Sequence, residues 1–246
     1  MNLVLVDPEE LAEDGTCAVR DRRAVHLRGV LGATVGGSVR AGVVGGGLGR
    51  AELLADDGAA ITLRLAITEP APAALPIELV LAIPRPKAIA RVIEAAAAFG
   101  VARIELTNAW RVDKSYLDSP KLAPDALALA ARLGAEQGAT THVAPVAIHR
   151  RLMGLLDERY PAPDGALRLI AHPGASPIEV AVTDAAQPIV LAIGPEGGWI
   201  ARELETFVAR GFVPVALGAP ILRVETAVAA ALGQLLLLAR LRATAS

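Results

Sequence analysis

The amino-acid sequence predicts an α/β protein: a small β-rich unit over residues 1–70, then a larger unit over 74–246 built on a mostly parallel sheet flanked by helices. Three observations predict it. Short alternating apolar runs between glycine turns fill the first part, and "EPAPAALP" at 69–76 places three prolines in a semi-rigid linker. Beyond the linker, continuous apolar strands alternate with helical segments, the pattern of a parallel sheet covered on both faces.

In the first unit, "NLVLV" at 2–6 is a short apolar run, and "SVRAGVV" at 38–44 and "AITLRLAI" at 60–67 alternate with period two. That is the signature of hairpins in a small barrel or sandwich. The glycine cluster "VGGGLG" at 44–49 does not match G-x-G-x-x-G, and no helical pattern follows it, so it reads as a hairpin turn.

In the second unit, "IELVLAIP" (77–84) is a buried strand and "KAIARVIEAAAAFG" (87–100) a helix stopped by Gly100; "ARIELTNA" (102–109) is the next strand. "APDALALAARLGAEQG" (123–138) is a helix, and "HVAPVAI" (142–148), "LRLIAHP" (167–173) and "QPIVLAIG" (187–194) are strands. "ARELETFVARG" (201–211) is a helix, "FVPVALG" (212–218) a strand, and "VETAVAAALGQLLLLARLR" (224–242) a long closing helix. The closing helix is apolar almost all round, which predicts that a second subunit covers its outer face.

With 246 residues, 53% of them hydrophobic and spread along the chain, a sizeable core can form. The apolar run "TAVAAALGQLLLLA" falls short of the roughly 20 residues of a membrane span and contains Gln234. The N-terminus lacks a basic region and reaches acidic residues early, unlike a secretory signal, so a cytoplasmic protein without membrane association is expected. One cysteine, Cys17, excludes an intramolecular disulfide and reads as a small half-buried residue. Four histidines show no ligand spacing, and Pro145 interrupts any helix joining His142 and His149; no metal is expected.

Net charge is −2, yet residues 71–151 hold ten basic against seven acidic residues. "PRPK" (84–87), "WRVDKSYLDSPK" (110–121) and "HRR" (149–151) either form a local phosphate-binding surface or are an ordinary solvated face. Arg85, Lys87, Arg111, Lys114 and Arg28 are the candidate RNA contacts.

Two loops carry the chemistry. Ligands of parallel sheets bind outside the carboxyl ends of strands, where "GPEGG" and "LGAPILR" both occur. Gly194-Pro195-Glu196-Gly197-Gly198 can bare peptide N–H and C=O groups to a flat polar ligand such as a nucleoside, or can simply be a tight turn into the next helix. "LGAPILRVETAV" repeats strand, glycine and helix start, and adds Arg223 and Glu225 there. Two such loops are harder to dismiss as turns than one.

"AIGPEGGW" with "ARELETFVARGFVPVALG" and "APILRVETAV" resembles the paired signatures of the RsmE-type 16S rRNA uridine-N3 methyltransferases, of the SPOUT class. "HLRGVLGA" (26–33), "IELVLAIPRPKAIARVIEAAAAFGVARIEL", "RVDKSY" and "LGAEQG" extend the similarity over most of the chain. The resemblance implies a PUA-like β-barrel that binds RNA, a C-terminal trefoil knot and a homodimer with 16S rRNA or the small ribosomal subunit as substrate. It implies S-adenosylmethionine held by Ile193, Gly194 to Gly198, Leu217, Gly218, Ile221, Leu222 and Thr226. Arg223 and Glu225 are its implied catalytic positions; Glu196 is a further candidate base. Departures concern the target: Pro220 stands where the family usually has arginine, Ala98-Phe99-Gly100-Val101 replaces a common E-L-G-V, and the arginine that often follows Glu136-Gln137 is missing. Alternatives are an RNA-binding or ribosome-assembly protein without turnover, and a methyltransferase of another nucleotide; a nucleotide-binding enzyme lacks any Walker or Rossmann fingerprint.

Overall fold

The computed structural model describes residues 2–184 and 187–243. Its first part comprises β1 (Val4–Val6), β2 (Thr16–Val19), α1 (Arg22–Gly29), β3 (Ser38–Val43), β4 (Leu48–Asp56) and β5 (Ile61–Glu69). They form one sheet in the order β1-β3-β4-β5-β2. The pairs are antiparallel except β1 with β3, which run parallel.

This corrects the expected barrel: the sheet is open, with β1 and β2 as its two edges. Helix α1 lies with it instead of a closing ladder. Ala24 and Leu27 share a buried cluster with Val4, Val6, Val19 and Leu63, and Arg23 donates from Nη1 to the Leu5 carbonyl at 2.9 Å. Arg23 also pairs with Glu10 at 2.5 Å and Asp21 at 2.9 Å, so the buried guanidinium is neutralised by two carboxylates. The glycine cluster is the hairpin turn expected, with Gly45 at φ 68° and Gly46 N–H on the Val43 carbonyl at 2.8 Å.

The second part follows after residues 70–74: β6 (Leu75–Ala82), α2 (Pro86–Phe99), β7 (Val101–Thr107), α3 (Pro124–Gly138), β8 (Val146–His149) and α4 (Leu152–Arg159). Then come β9 (Leu167–Pro177), α5 (Ile178–Ala181), β10 (Ile189–Ile193), α6 (Ala201–Val208), β11 (Phe212–Ala216) and α7 (Val224–Ala243). All six strands run parallel, in the order β11-β9-β10-β6-β7-β8. Strand β10, with every residue buried, sits mid-sheet, as its unbroken apolar run predicts. Helices α1 and α4 and strand β2 lie where no element was expected, and β8 is shorter than its apolar run because it begins only after Pro145.

Helices α2 and α3 touch almost backbone to backbone. A Cβ added at Gly134 would lie 2.3 Å from the Glu94 carbonyl oxygen, and one at Gly138 2.1 Å from that of Ala98. The "LGAEQG" motif therefore has a packing role. It also docks the first sheet: Ala135 packs on Leu3, Leu5 and Leu48, and fully buried Glu136 takes a bidentate pair from Arg22 at 2.6 and 2.7 Å. Arg132 donates to Asp7 and to the Leu5 carbonyl.

Helix α7 is long and apolar enough, by length and composition alone, to cross a membrane, contrary to the expectation from its shorter apolar run. Its Val224, Val228, Ala231, Leu232 and Leu235 are instead buried in the main core with residues of α2 and the sheet. Leu237 and Leu241 stay about half exposed, at 45% and 56%.

Candidate functional site

The carboxyl ends of β9, β10 and β11 surround a cavity of about 360 Å³, within the range of small-molecule sites. Its walls are the loops that the sequence singled out: Ile193 to Trp199 after β10, and Leu217, Gly218 and Pro220 to Leu222 after β11. A third wall comes from β9. Between Ile170 and Ser176 the ladder with β11 shifts register, and Ala171, His172 and Pro173 line the cavity from this irregular stretch.

The glycine loop is shaped by close approach as much as by backbone angle. A Cβ on Gly194 would sit 3.1 Å from the Trp199 indole nitrogen. Gly198 has φ 72°, which a glycine adopts without strain, and its N–H closes the turn on the Pro195 carbonyl at 2.8 Å. Trp199 is buried at 6% exposure and packs in an aromatic row, tilted against Phe207, which meets Phe212 edge-on, with centroids 4.9 Å apart in each pair. Trp199 lines the cavity, and its indole N–H is buried with no hydrogen-bond partner among the described residues.

Neighbouring loops brace this one. Arg111 donates from Nη1 to the Gly197 carbonyl, and the Glu196 carboxylate accepts from the Arg85 backbone N–H at 3.1 Å, with its guanidinium 3.8 Å away. Glu203 accepts from Trp110 N–H at 2.7 Å with one oxygen and from Ile200 N–H at 3.1 Å with the other. On the opposite wall, Gln234 of α7 donates to the Leu217 carbonyl at 2.8 Å.

Of the residues expected at a cofactor, Ile193, Gly194, Pro195, Glu196, Gly197, Gly198, Leu217, Gly218, Ile221 and Leu222 line the cavity; Thr226 does not. Arg223 and Glu225 also stand outside its lining, at the start of α7, with Arg223 exposed. Arg111, expected at RNA, borders the cavity. Arg85, Lys87 and Lys114 are exposed, while Arg28 is held by Asp56 at 2.6 Å and depresses that carboxyl to about 2. Trp199, His172, Val224 and Ala227 were missed as lining residues. Trp199 directly follows the glycine loop, a signal the sequence did contain; His172 reaches the cavity only through the irregular end of β9. Pro220, at the family's usual arginine, lies on the cavity wall. Among the described residues no group of three or more His, Cys, Asp or Glu side chains is arranged to hold a metal.

Comparison with known proteins agrees with this architecture. A ribosomal RNA small subunit methyltransferase E of Treponema pallidum is 28% identical over 252 residues, spanning 94% of this chain and 89% of its own length. The structure of a ribosomal RNA small subunit methyltransferase E from Neisseria gonorrhoeae bound to S-adenosyl methionine superposes with a TM-score of 0.77 at 22% identity, over 97% and 98% of the two chains. A methyltransferase candidate from Legionella pneumophila in complex with the same cofactor gives 0.77 at 22% identity, over 95% and 96%. These two likenesses establish the fold. The model of the RNA methyltransferase domain matches residues 71–236, the whole of the parallel sheet and most of the closing helix, and the chain accordingly belongs to that family.

Proposed function

We propose that this protein is an S-adenosylmethionine-dependent methyltransferase that modifies N3 of a uridine in small-subunit (16S) rRNA. The observation that carries the reading is that both glycine loops, twenty-odd residues apart in sequence, wall one cavity at the carboxyl edge of the sheet. Family membership, the name of the Treponema relative and the cofactor in the Neisseria structure support it.

The residues fit that cofactor. Gly194 and Gly197 let the Trp199 ring and the Arg111 side chain close against the loop, and the side-chain-free peptide groups of the cavity wall suit a nucleoside with polar edges. Ile193 to Gly198, Leu217, Gly218, Ile221 and Leu222 would hold it, with Thr226 adjoining on α7. When bound, S-adenosylmethionine supplies an electrophilic methyl group on a sulfonium. Uridine N3 carries a proton and attacks only once that proton is displaced. Arg223, in this reading, stabilises negative charge developing on the base oxygens, and Glu225 two residues later is the candidate proton acceptor. Both stand beside the cavity in one chain, which is consistent with a mouth completed by a second subunit packed on α7, where Leu237 is 45% exposed, and on the loop before it, where Ile221 is 88% exposed. The same reading makes residues 1–70 a PUA-like RNA-binding unit and 74–246 a knotted SPOUT catalytic unit, in a cytoplasmic homodimer that needs no metal.

Titration calorimetry with S-adenosylhomocysteine tests the pocket, and nucleoside mass spectrometry of rRNA from cells lacking the protein tests the target. Absence of binding removes the methyltransferase reading. Binding with 3-methyluridine unchanged in those cells keeps the cofactor and rejects the nucleotide. Binding of RNA and cofactor with no methyl transfer favours the assembly-protein alternative.

A further inference from the structure

We infer that Trp110 is a stacking platform for a nucleobase of the RNA, set where a basic rim meets the cofactor cavity. The inference rests on the RNA methyltransferase reading and adds to it a residue that recognises the strand around the target.

The sheet register brings the pieces together. Ile193 is level with Leu81, Ala82 with Thr107, and Thr107 with His149, so β10, β6, β7 and β8 end side by side on one edge. The loop after β10 walls the cavity. The next three, in spatial order, carry Arg85 and Lys87, then Trp110, Arg111 and Lys114, then Arg150 and Arg151. Trp110 is 79% exposed, against 6% for Trp199, the other tryptophan. An indole left in water forgoes the burial that makes aromatic residues useful in cores, unless something covers it in use.

Its position is fixed. The main-chain N–H of Trp110 donates to Glu203 at 2.7 Å, and the next side chain, Arg111, reaches across to the Gly197 carbonyl. The indole therefore projects from a braced segment one residue from the cavity wall. Asp113 accepts from Ser115 N–H and hydroxyl at 2.9 and 2.8 Å; Asp118 faces Arg150 at 3.6 Å and Glu196 faces Arg85 at 3.8 Å, so Lys87, Lys114 and Arg151 are rim cations without a carboxylate partner among the described residues. A flat aromatic face flanked by cations is the arrangement that binds single-stranded RNA, stacking a base while the cations follow its phosphates. The same cations disfavour a second copy of this surface as the occupant, because like charges would meet.

Fluorescence tests it, since Trp199 is buried and Trp110 is the tryptophan open to quenching. Oligouridylate RNA is titrated into the full-length protein saturated with S-adenosylhomocysteine, with RNA affinity followed separately by anisotropy. Quenching should track binding in the wild type and vanish in Trp110→Phe. Trp110→Ala should weaken RNA binding about tenfold, with Trp110→Phe restoring most of it and cofactor affinity unchanged in both. RNA binding that neither quenches Trp110 nor responds to Trp110→Ala overturns the inference while leaving the methyltransferase reading in place. Failure of the wild type to bind RNA overturns the inference, while the methyltransferase reading stands or falls with the S-adenosylhomocysteine titration and the rRNA mass spectrometry. A Trp110→Ala protein that sediments as a smaller species with RNA affinity unchanged assigns the indole to a subunit contact and likewise overturns the inference.

Discussion

Gln234, a polar side chain within the apolar stretch of α7, donates from Nε2 to the carbonyl of Leu217 at 2.8 Å. That bond ties the loop after β11 to the helix that follows it, across one end of the cavity. Gln234→Leu suits the helix by hydrophobicity yet strips the carbonyl of its partner. The expected result is a stability loss of about 1 kcal/mol in urea unfolding, together with a larger proportional loss of S-adenosylhomocysteine affinity by calorimetry. A variant that binds normally would show that the loop holds its shape without this tether.

Gly194 and Gly198 should respond to alanine for different reasons. At Gly198 there is open space, and the cost is the positive φ of 72°, about 1 kcal/mol of backbone strain. At Gly194 the new methyl presses on the buried Trp199 ring at 3.1–3.2 Å, so the indole and the cavity wall it forms must shift. Gly194→Ala is expected to blue- or red-shift Trp199 emission and weaken cofactor binding more than Gly198→Ala does. Equal effects would mean that the loop's backbone angles, and not its clearance, shape the site.

Acid sensitivity should trace partly to Glu10. The hydrogen bond from Arg23 holds its carboxyl below the ordinary glutamate value, against an opposing contribution from burial. A carboxylate depressed in the folded state stabilises above its unfolded pKa, and that stability is lost as pH falls through the folded value. Urea unfolding should therefore show stability declining from about pH 5 downward, and Glu10→Gln should flatten that slope while lowering stability at neutral pH. An unchanged slope assigns the acid transition to other carboxylates.

Glu136 ties α3 to α1 of the first part, with its side chain fully buried against Arg22 and Arg132. Glu136→Ala removes the bidentate partner of Arg22 while Arg132 keeps Asp7, at a cost of about 2 kcal/mol. Because the cavity lies at the other end of the sheet's loops, cofactor affinity at temperatures below unfolding is expected to stay near wild type. Differential scanning calorimetry and binding measured on the same sample separate the two. A parallel collapse of both would mean that the first sheet helps to shape the cavity.

Legibility in the sequence followed how local each signal is. Strands β6, β7, β10 and β11 and helices α2, α3 and α7 announce themselves as apolar runs or stripes, with a glycine at or just beyond the end of α2, α3, β10 and β11, and the two loops as glycine and proline breaks directly after strands. Helix α1 did not, because "RRAVHLRG" buries an arginine, Arg23, that only distant Glu10 and Leu5 satisfy. The open first sheet was also illegible: its order puts β1 beside β3 and β2 beside β5, a choice that alternation along a strand does not encode. In the site, His172 and Arg111 reach the cavity through an irregular strand end and a side chain spanning loops 86 residues apart, both products of packing. Arg28 shows the converse, a cation that looked available in sequence and is taken up by Asp56.

Arg223 offers the sharpest separation of binding from chemistry. It stands at the start of α7, its carbonyl accepting the Ala227 N–H at 2.7 Å, and it is exposed beside the cavity but absent from the wall. If its guanidinium acts on charge that develops on the uracil oxygens, its contribution exists only as N3 loses its proton, not when the cofactor binds. Arg223→Ala should therefore leave S-adenosylhomocysteine affinity within about twofold while lowering the single-turnover rate of methyl transfer by about a hundredfold. Arg223→Lys keeps the charge but loses the planar pair of donors, and an intermediate rate is expected. Raising pH makes the uracil anion without help, so the gap between wild type and Arg223→Ala should narrow as pH rises. A gap that stays constant with pH, or a loss confined to cofactor affinity, would assign Arg223 to shaping the loop and leave the proton's departure to another group.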